Sequence, residues 1–189
     1  GFLLVITLST ATMPFTVFGP ILLETLHGVR PLAVGYVIAV EAVAWTLVAV
    51  VTAGATGRRE RAAIVFGAAA AALAVVLSVW AVPFGGVWPS VAVAFLQGGG
   101  VGAVWAFATR RIVEAVVPEQ RTLAAAAVPT VQLLGYALGA AGAGIVANAR
   151  GLGADPGPTT ALAAGPWVFV VLTPLAFAGF FAARRLVRA

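Results

Sequence analysis

Residues 62–82 read AAIVFGAAAAALAVVLSVWAV, and this stretch holds one hydroxyl side chain, Ser78, and no charged residue. At about 1.5 Å per residue, a helix of this length crosses the ~30 Å hydrocarbon core of a bilayer. Five further stretches are similarly long and apolar. The predicted spans are Phe2–Leu23, Pro31–Ala53, Ala62–Val82, Val87–Ala108, Leu123–Ala147 and Ala164–Ala183. We therefore expect an all-α, polytopic membrane helical bundle with six transmembrane helices, one domain covering residues 1–189.

The composition also indicates a membrane protein and argues against a soluble domain. Hydrophobic residues make up 62% of the chain and charged residues 9%, and the mean hydropathy is +1.08. These values lie far from those of soluble globular domains. In a soluble protein the net charge of +5 would suggest nucleic acid. Here the basic residues lie between apolar spans, so we expect the lipid bilayer and no nucleic acid as a partner.

The arginines are concentrated on one side of the predicted bundle. Nine of the eleven basic residues follow the second, fourth or sixth stretch, and only Arg30 and Arg150 lie on the other side. Cytoplasmic loops carry the Lys/Arg excess, so both termini are expected in the cytoplasm. The absence of lysine and the abundance of alanine and glycine are typical of a high-GC bacterial genome. We therefore expect a multi-pass protein of a bacterial inner membrane.

Polar side chains are distributed unevenly over the predicted spans. The third and sixth spans hold almost none, so these two helices are expected to border lipid widely. The other four spans carry polar groups, among them Ser9, Thr12, Thr16, Glu41, Gln97, Thr109, Thr130, Gln132 and Tyr136. Two polar spans followed by an apolar one occur twice, which indicates two inverted three-helix repeats of the kind found in secondary transporters. A chance distribution of a few polar residues would produce the same order.

Prolines and glycines predict bends and close helix contacts. Pro14, Pro129 and Pro174 each remove a backbone donor and favour a kink. Gly135 and Gly139 form a GxxxG pair in the fifth span, and the fourth span holds four glycines within five residues. Because the chain contains 22 glycines, such spacings also arise by chance. They predict helix packing and say nothing about a substrate.

Glu41 is the one carboxylate well inside a predicted span. An ionisable residue at that depth costs at least ~2.5 kcal/mol and usually faces a bundle interior or a water-filled cavity. Such a carboxylate can exchange a proton or receive a cationic substrate; alternatively, a protonated Glu41 serves only as a hydrogen bond between helices. Trp45, one turn further, can present an aromatic surface to a cation or flat ligand. The predicted substrate or proton pathway comprises Glu41, Trp45, Ser9, Thr12, Thr16, Gln97, Gln132 and Tyr136.

Nothing in the sequence points to catalysis. The chain has no cysteine, and no metal-ligand spacing, phosphate loop or nucleophile–base pair is present. His27 lies with Glu24 and Arg30 in a segment that we expect to be a solvated turn. We predict no enzyme, no metal site and no cofactor, with protons as the coupling ion of any transport.

The six-span layout resembles the C-terminal half of a transporter of the major facilitator superfamily (MFS). The resemblance also rests on GATGRRER at residues 54–61, VPEQRTLAAAAVPTVQLLGYALGAAGAGIVANA at residues 117–149 and the basic C-terminal tail. The family carries a glycine/arginine motif in the corresponding loop. Its glycine and basic positions are matched by Gly54, Gly57, Arg58 and Arg59. The aspartate of that motif has no counterpart here.

The resemblance implies half of an MFS fold, in which the first, second, fourth and fifth helices line the cavity. It also implies a secondary transporter of small organic solutes, acting by proton-coupled drug or metabolite efflux as an antiporter. The expected partners are then a small-molecule substrate and a missing N-terminal six-helix half. The alternative is a complete six-helix membrane channel or a non-transporting scaffold.

Overall fold

The computed structural model describes residues 1–154 and 157–188, and it is built from α-helices. The helices are α1 (Phe2–His27), α2 (Pro31–Thr52), α3 (Arg58–Trp80), α4 (Val87–Glu114), α5 (Arg121–Ala149), α6 (Pro158–Val170) and α7 (Thr173–Leu186). A π-helical turn, Ala81–Gly85, continues α3, and a 3₁₀ turn, Pro118–Gln120, precedes α5. Within the described residues, six helical segments are long and apolar enough to cross a membrane, with α6 and α7 forming the sixth. The all-helical fold with six candidate spans is confirmed.

The sixth span differs most from its predicted bounds. It begins at Pro158 and not at Ala164, because proline in the first turn gives up a backbone N–H that would have no helical partner there. The segment is also interrupted between Val170 and Thr173. Pro174 lies in the first turn of the helix that follows the interruption, so the missing donor is tolerated. The helix therefore starts six residues before the predicted span, whose start was judged from apolar residues alone.

α1 and α4 lie at the centre of the bundle. In their most apolar windows 67% and 61% of the residues are buried, against 17% in α2 and 22% in α5. α2 packs mainly on α4, α5 mainly on α1, and α3 on α4 and α7. The apolar third and sixth spans expose one face, as expected, but α2 and α5 expose more of their surface. Polarity therefore did not identify the most exposed helices of this chain.

Glycines bring the backbones of α2 and α4 into contact. A Cβ atom added at Gly98 would lie 2.0 Å from the carbonyl oxygen of Glu41. One added at Gly102 would lie 2.3 Å from the carbonyl oxygen of Trp45. No larger side chain can occupy either position at this helix separation. The glycines of the fourth span thus serve close packing, as predicted, and they fix the helix turn that carries Glu41 and Trp45.

The GxxxG pair of α5 makes the equivalent contact with α1. An added Cβ atom would lie 2.3 Å from the carbonyl oxygen of Thr10 at Gly139, and 3.0 Å from that of Ile6 at Gly135. The prediction that this pair packs helices is confirmed. α1 and α5 each remain a single helix through their internal prolines, Pro14 and Pro129 among them.

A buried carboxylate joins the arginine-rich ends of three helices. Glu60, in the first turn of α3, is 7% exposed and forms ion pairs with Arg110 and Arg111 of α4. The Arg111 Nε to Glu60 Oε1 distance is 2.9 Å, and Arg111 Nη1 donates a hydrogen bond of 2.8 Å to the carbonyl oxygen of Leu186. The sequence showed Glu60 only as one acidic residue among arginines, because its partners lie about fifty residues away.

His27 makes a contact at the opposite end of the bundle that the sequence did not reveal. Its Nε2 atom lies 2.9 Å from the carbonyl oxygen of Val82, in the π-helical turn. A carbonyl oxygen only accepts, so the ring nitrogen donates. The segment expected to be a solvated turn is therefore tied to the second helical hairpin through this side chain.

Candidate functional site

A cavity of about 290 Å³ lies among α1, α2, α4 and α5. Most of its wall is aliphatic, with one carboxylate and a few hydroxyl and aromatic groups. The polar and aromatic side chains of the wall are Ser9, Thr12, Thr16, Glu41, Trp45, Trp105 and Tyr136. Its size and largely apolar lining are typical of sites for small organic molecules.

The structure places six of the eight predicted pathway residues in the wall of this cavity. The other two, Gln97 and Gln132, do not line it but contact residues that do. Gln97 is fully buried and reaches Glu41, and Gln132 Nε2 donates a 2.7 Å hydrogen bond to the hydroxyl of Tyr136. Thr130, also noted in the fifth span, is exposed and bonds to its own helix.

Gln97 holds one oxygen of the Glu41 carboxyl group. Its Nε2 atom donates to Glu41 Oε1 at 2.8 Å and to the carbonyl oxygen of Thr12 at 3.3 Å. Because the Thr12 carbonyl oxygen can only accept, the end of the Gln97 amide that faces it must be the NH₂ group. Glu41 Oε1 is therefore an acceptor, and a proton bound to the carboxyl group belongs on Oε2.

The second carboxylate oxygen of Glu41 faces a hydroxyl group. Thr16 Oγ1 lies 3.4 Å from Glu41 Oε2. A hydroxyl can donate to an ionised carboxylate and can accept from a protonated one. Glu41 Oε2 thus keeps a hydrogen-bonding partner in both protonation states, and Glu41 is one of the residues that line the cavity.

A buried acceptor lies next to this pair. Gln97 Oε1 is buried, and it has no hydrogen-bonding partner among residues 1–154 and 157–188. Buried polar atoms of this kind are rare and usually receive a donor from water or a ligand. The Glu41–Gln97 pair therefore offers acceptor capacity beyond the bonds that the protein makes to itself.

Two indole rings lie at the same cavity. The ring centroids of Trp45 and Trp105 are 5.7 Å apart and their planes are tilted by 51°. Indole faces attract cations and stack on flat rings. Sequence reasoning missed Trp105, although a signal existed. Gln97, Val101 and Val104 are spaced as one helix face, and Trp105 continues it.

The loop-motif residues lie away from the cavity. Gly54 and Gly57 connect α2 to α3, and Gly57 has a φ of +56°, a value that favours glycine. Arg58 and Arg59 open α3 with exposed side chains. In this segment the buried ion pairs are made by Glu60, which was not among the predicted residues.

No protein-family model, curated protein or solved structure matches the chain. The arrangement can hold a small amphipathic molecule against two indole rings and can exchange one proton at Glu41 Oε2.

Proposed function

We propose that the chain is one six-helix half of a facilitator-type secondary transporter, which exports small organic solutes in exchange for protons across a bacterial inner membrane. The observation that carries the proposal is Glu41, a titratable carboxylate at the wall of a cavity within the apolar bundle. Ionisable residues in that position generally mark a solute or proton pathway. The resemblance of the sequence to the C-terminal half of an MFS transporter supports the same assignment.

The exposure of α2 and α5 supports the proposal that a second six-helix unit packs against this chain. These helices contribute Glu41, Trp45 and Tyr136 to the cavity, yet they are the least buried of the six spans. A second six-helix unit seated against them would complete the cavity wall. Rocking of the two units about the cavity would then expose it to each side of the membrane in turn.

The chemistry of exchange follows from the two oxygens of Glu41. With Oε2 ionised, the cavity carries one negative charge and favours solutes with a cationic or flat aromatic group, held against Trp45 and Trp105. A proton arriving on Oε2 removes that charge and weakens the attraction. Binding of the proton then lowers the affinity for the solute, and binding of the solute lowers the affinity for the proton, which is the coupling that antiport needs.

The experiment that tests the proposal compares the chain alone with the transporter in which it is joined to its second six-helix unit. Both are reconstituted in liposomes that carry an imposed proton gradient. The joined protein should give saturable uphill flux of a small aromatic cation such as ethidium, and the chain alone should give none. Saturable gradient-driven flux from the chain as a monomer would defeat the half-transporter assignment and favour a complete six-helix device.

The proposed orientation places the arginine-rich ends of the helices in the cytoplasm. Because the chain contains no cysteine, single cysteines report on sidedness without background labelling. Cysteines at Ala154 and Gly157 should react with an impermeant thiol reagent added outside cells. Cysteines at Thr56 and Glu119, both exposed positions, should react only after permeabilisation. The opposite labelling pattern would reverse the proposed topology.

A further inference from the structure

An apolar groove separate from the central cavity runs between α3 and α7. Its volume is about 260 Å³, and its walls are Ala69, Ala72, Leu73, Val76, Phe177 and Phe180. The small side chains on α3 leave the groove open opposite the two phenylalanine rings. Leu73 and Phe177 are about half exposed, so the groove opens onto the outer surface of the bundle. In a membrane, hydrocarbon chains are what lie against this surface.

Two arginines, Arg61 and Arg184, lie towards one end of this groove, on the side of the bundle where most arginines are found. The guanidinium carbon of Arg184 is 5.8 Å from the ring centroid of Phe180, so this side chain lies over the groove wall. On α3, Arg61 precedes Val65 and Ala69 by four and eight residues, which puts it about 12 Å before Ala69 on the inclined ridge that leads to the groove. Both arginine side chains are exposed.

Among the residues that the structure describes, Arg61 and Arg184 form no ion pair. In residues 1–154 and 157–188 the ion pairs are made by Arg110 and Arg111, with Glu60 and Glu114. An arginine guanidinium binds phosphate oxygens through paired hydrogen bonds, and basic pockets between transmembrane helices are recurrent sites for anionic lipid headgroups. The groove therefore combines unpaired positive charge at its mouth with an apolar channel below.

We propose that this groove binds one anionic phospholipid. The phosphate group lies between Arg61 and Arg184, and one acyl chain follows the groove along Ala69 and Phe177. A free phosphate would satisfy the arginines but leave the groove unused, and a zwitterionic lipid would bring a compensating positive charge to the same place. The site holds whether or not the chain transports solutes, because it shares no residue with the central cavity.

Native mass spectrometry of the chain in dodecyl maltoside, with equal amounts of dioleoyl-phosphatidylglycerol and dioleoyl-phosphatidylcholine, tests the proposal. We expect one phosphatidylglycerol molecule to be retained preferentially. Each arginine should contribute about fivefold in affinity, so Arg61→Gln with Arg184→Gln should reduce that retention by roughly 25-fold. Ala69→Leu, which fills the groove and keeps both arginines, should weaken retention of the lipid as well.

The matched control is Arg59→Gln with Arg121→Gln, which removes the same charge from the same end of the bundle. Both residues are exposed, and neither lies in the groove wall. Circular dichroism and size-exclusion chromatography confirm that all variants remain helical and monodisperse. Equal losses in the control and the site variant would overturn the proposal in favour of diffuse surface charge. If Ala69→Leu retains phosphatidylglycerol as well as the parent chain does, no acyl chain lies in the groove. The same conclusion follows if inorganic phosphate competes for the site as well as the lipid does.

Discussion

Replacing Glu41 with glutamine should abolish proton-driven transport by the complete transporter while leaving the protein folded and inserted. Glutamine keeps the shape of the side chain, and its carbonyl oxygen can still accept from Gln97, which holds Glu41 Oε1 at 2.8 Å. It cannot bind and release a proton at the position facing Thr16. Downhill exchange of solute should therefore persist, and uphill flux driven by a proton gradient should fall to the background of empty vesicles.

The measurement is flux into matched vesicles that contain equal amounts of the parent and variant proteins. Glu119→Gln is the control, because it makes the same chemical change at an exposed position outside the central cavity. Thr16→Ser, which keeps the hydroxyl group, should retain more coupled flux than Thr16→Val, which removes it. If Glu41→Gln leaves coupled flux unchanged, Glu41 is only a hydrogen bond between helices, and the exchange mechanism is wrong.

Replacing Gly98 with alanine should produce the largest loss of stability of any single methyl addition in the central packing. The new Cβ atom would lie 2.0 Å from the carbonyl oxygen of Glu41, and the neighbouring atom is backbone, which cannot rotate away. α2 must then move off α4. Overpacking of this kind costs about 1–3 kcal/mol or more in free energy of unfolding. The displacement should also lengthen the bond between Gln97 and Glu41, so coupled flux should fall with stability.

Unfolding in mixed detergent micelles, followed by tryptophan fluorescence, measures this effect. Gly144→Ala in α5 is the matched control, because the same chemical change is made inside a helix. Apart from its chain neighbours and the backbone of its own helix, no atom of the described residues lies within 4 Å of the added Cβ. The midpoint of unfolding of Gly144→Ala should equal or slightly exceed that of the parent chain, since alanine favours the helix. Equal midpoints for Gly98→Ala and the parent chain would show that α2 and α4 are not held at the separation seen here.

The exposed faces of α2 and α5 could not be derived from the sequence. Polarity separated Ala62–Val82 and the sixth span from the others, and it predicted that those two would border lipid. In the structure α3 is packed between α4 and α7, whereas α2 rests mainly on α4. Hydropathy measures the transfer of a segment into hydrocarbon, and it contains no information about how many helices surround that segment.

The residues of the cavity were only partly predictable, for a related reason. Ser9, Thr12 and Thr16 share one helix face by spacing alone, and the structure keeps them on one wall. Gln97 was recognised as polar, but its role depends on α4 approaching Thr12 and Glu41 at the same time. Trp105 could have been found from the helix face that it shares with Val101. The Glu60 ion pairs arise from contacts between segments far apart in the chain, so periodicity within one segment could not identify them.

The sequence alone was enough to predict six helices long and apolar enough to cross a membrane, because about twenty consecutive apolar residues form a helix when they lie in a bilayer. It also showed that Glu41 is the one ionisable carboxylate inside a predicted span, since the other charged residues lie outside the six apolar stretches. The tertiary structure decided which side chains meet Glu41 and which oxygen of it can carry a proton. Those properties depend on the separation of α2 and α4, which is set where Gly98 and Gly102 let two backbones touch.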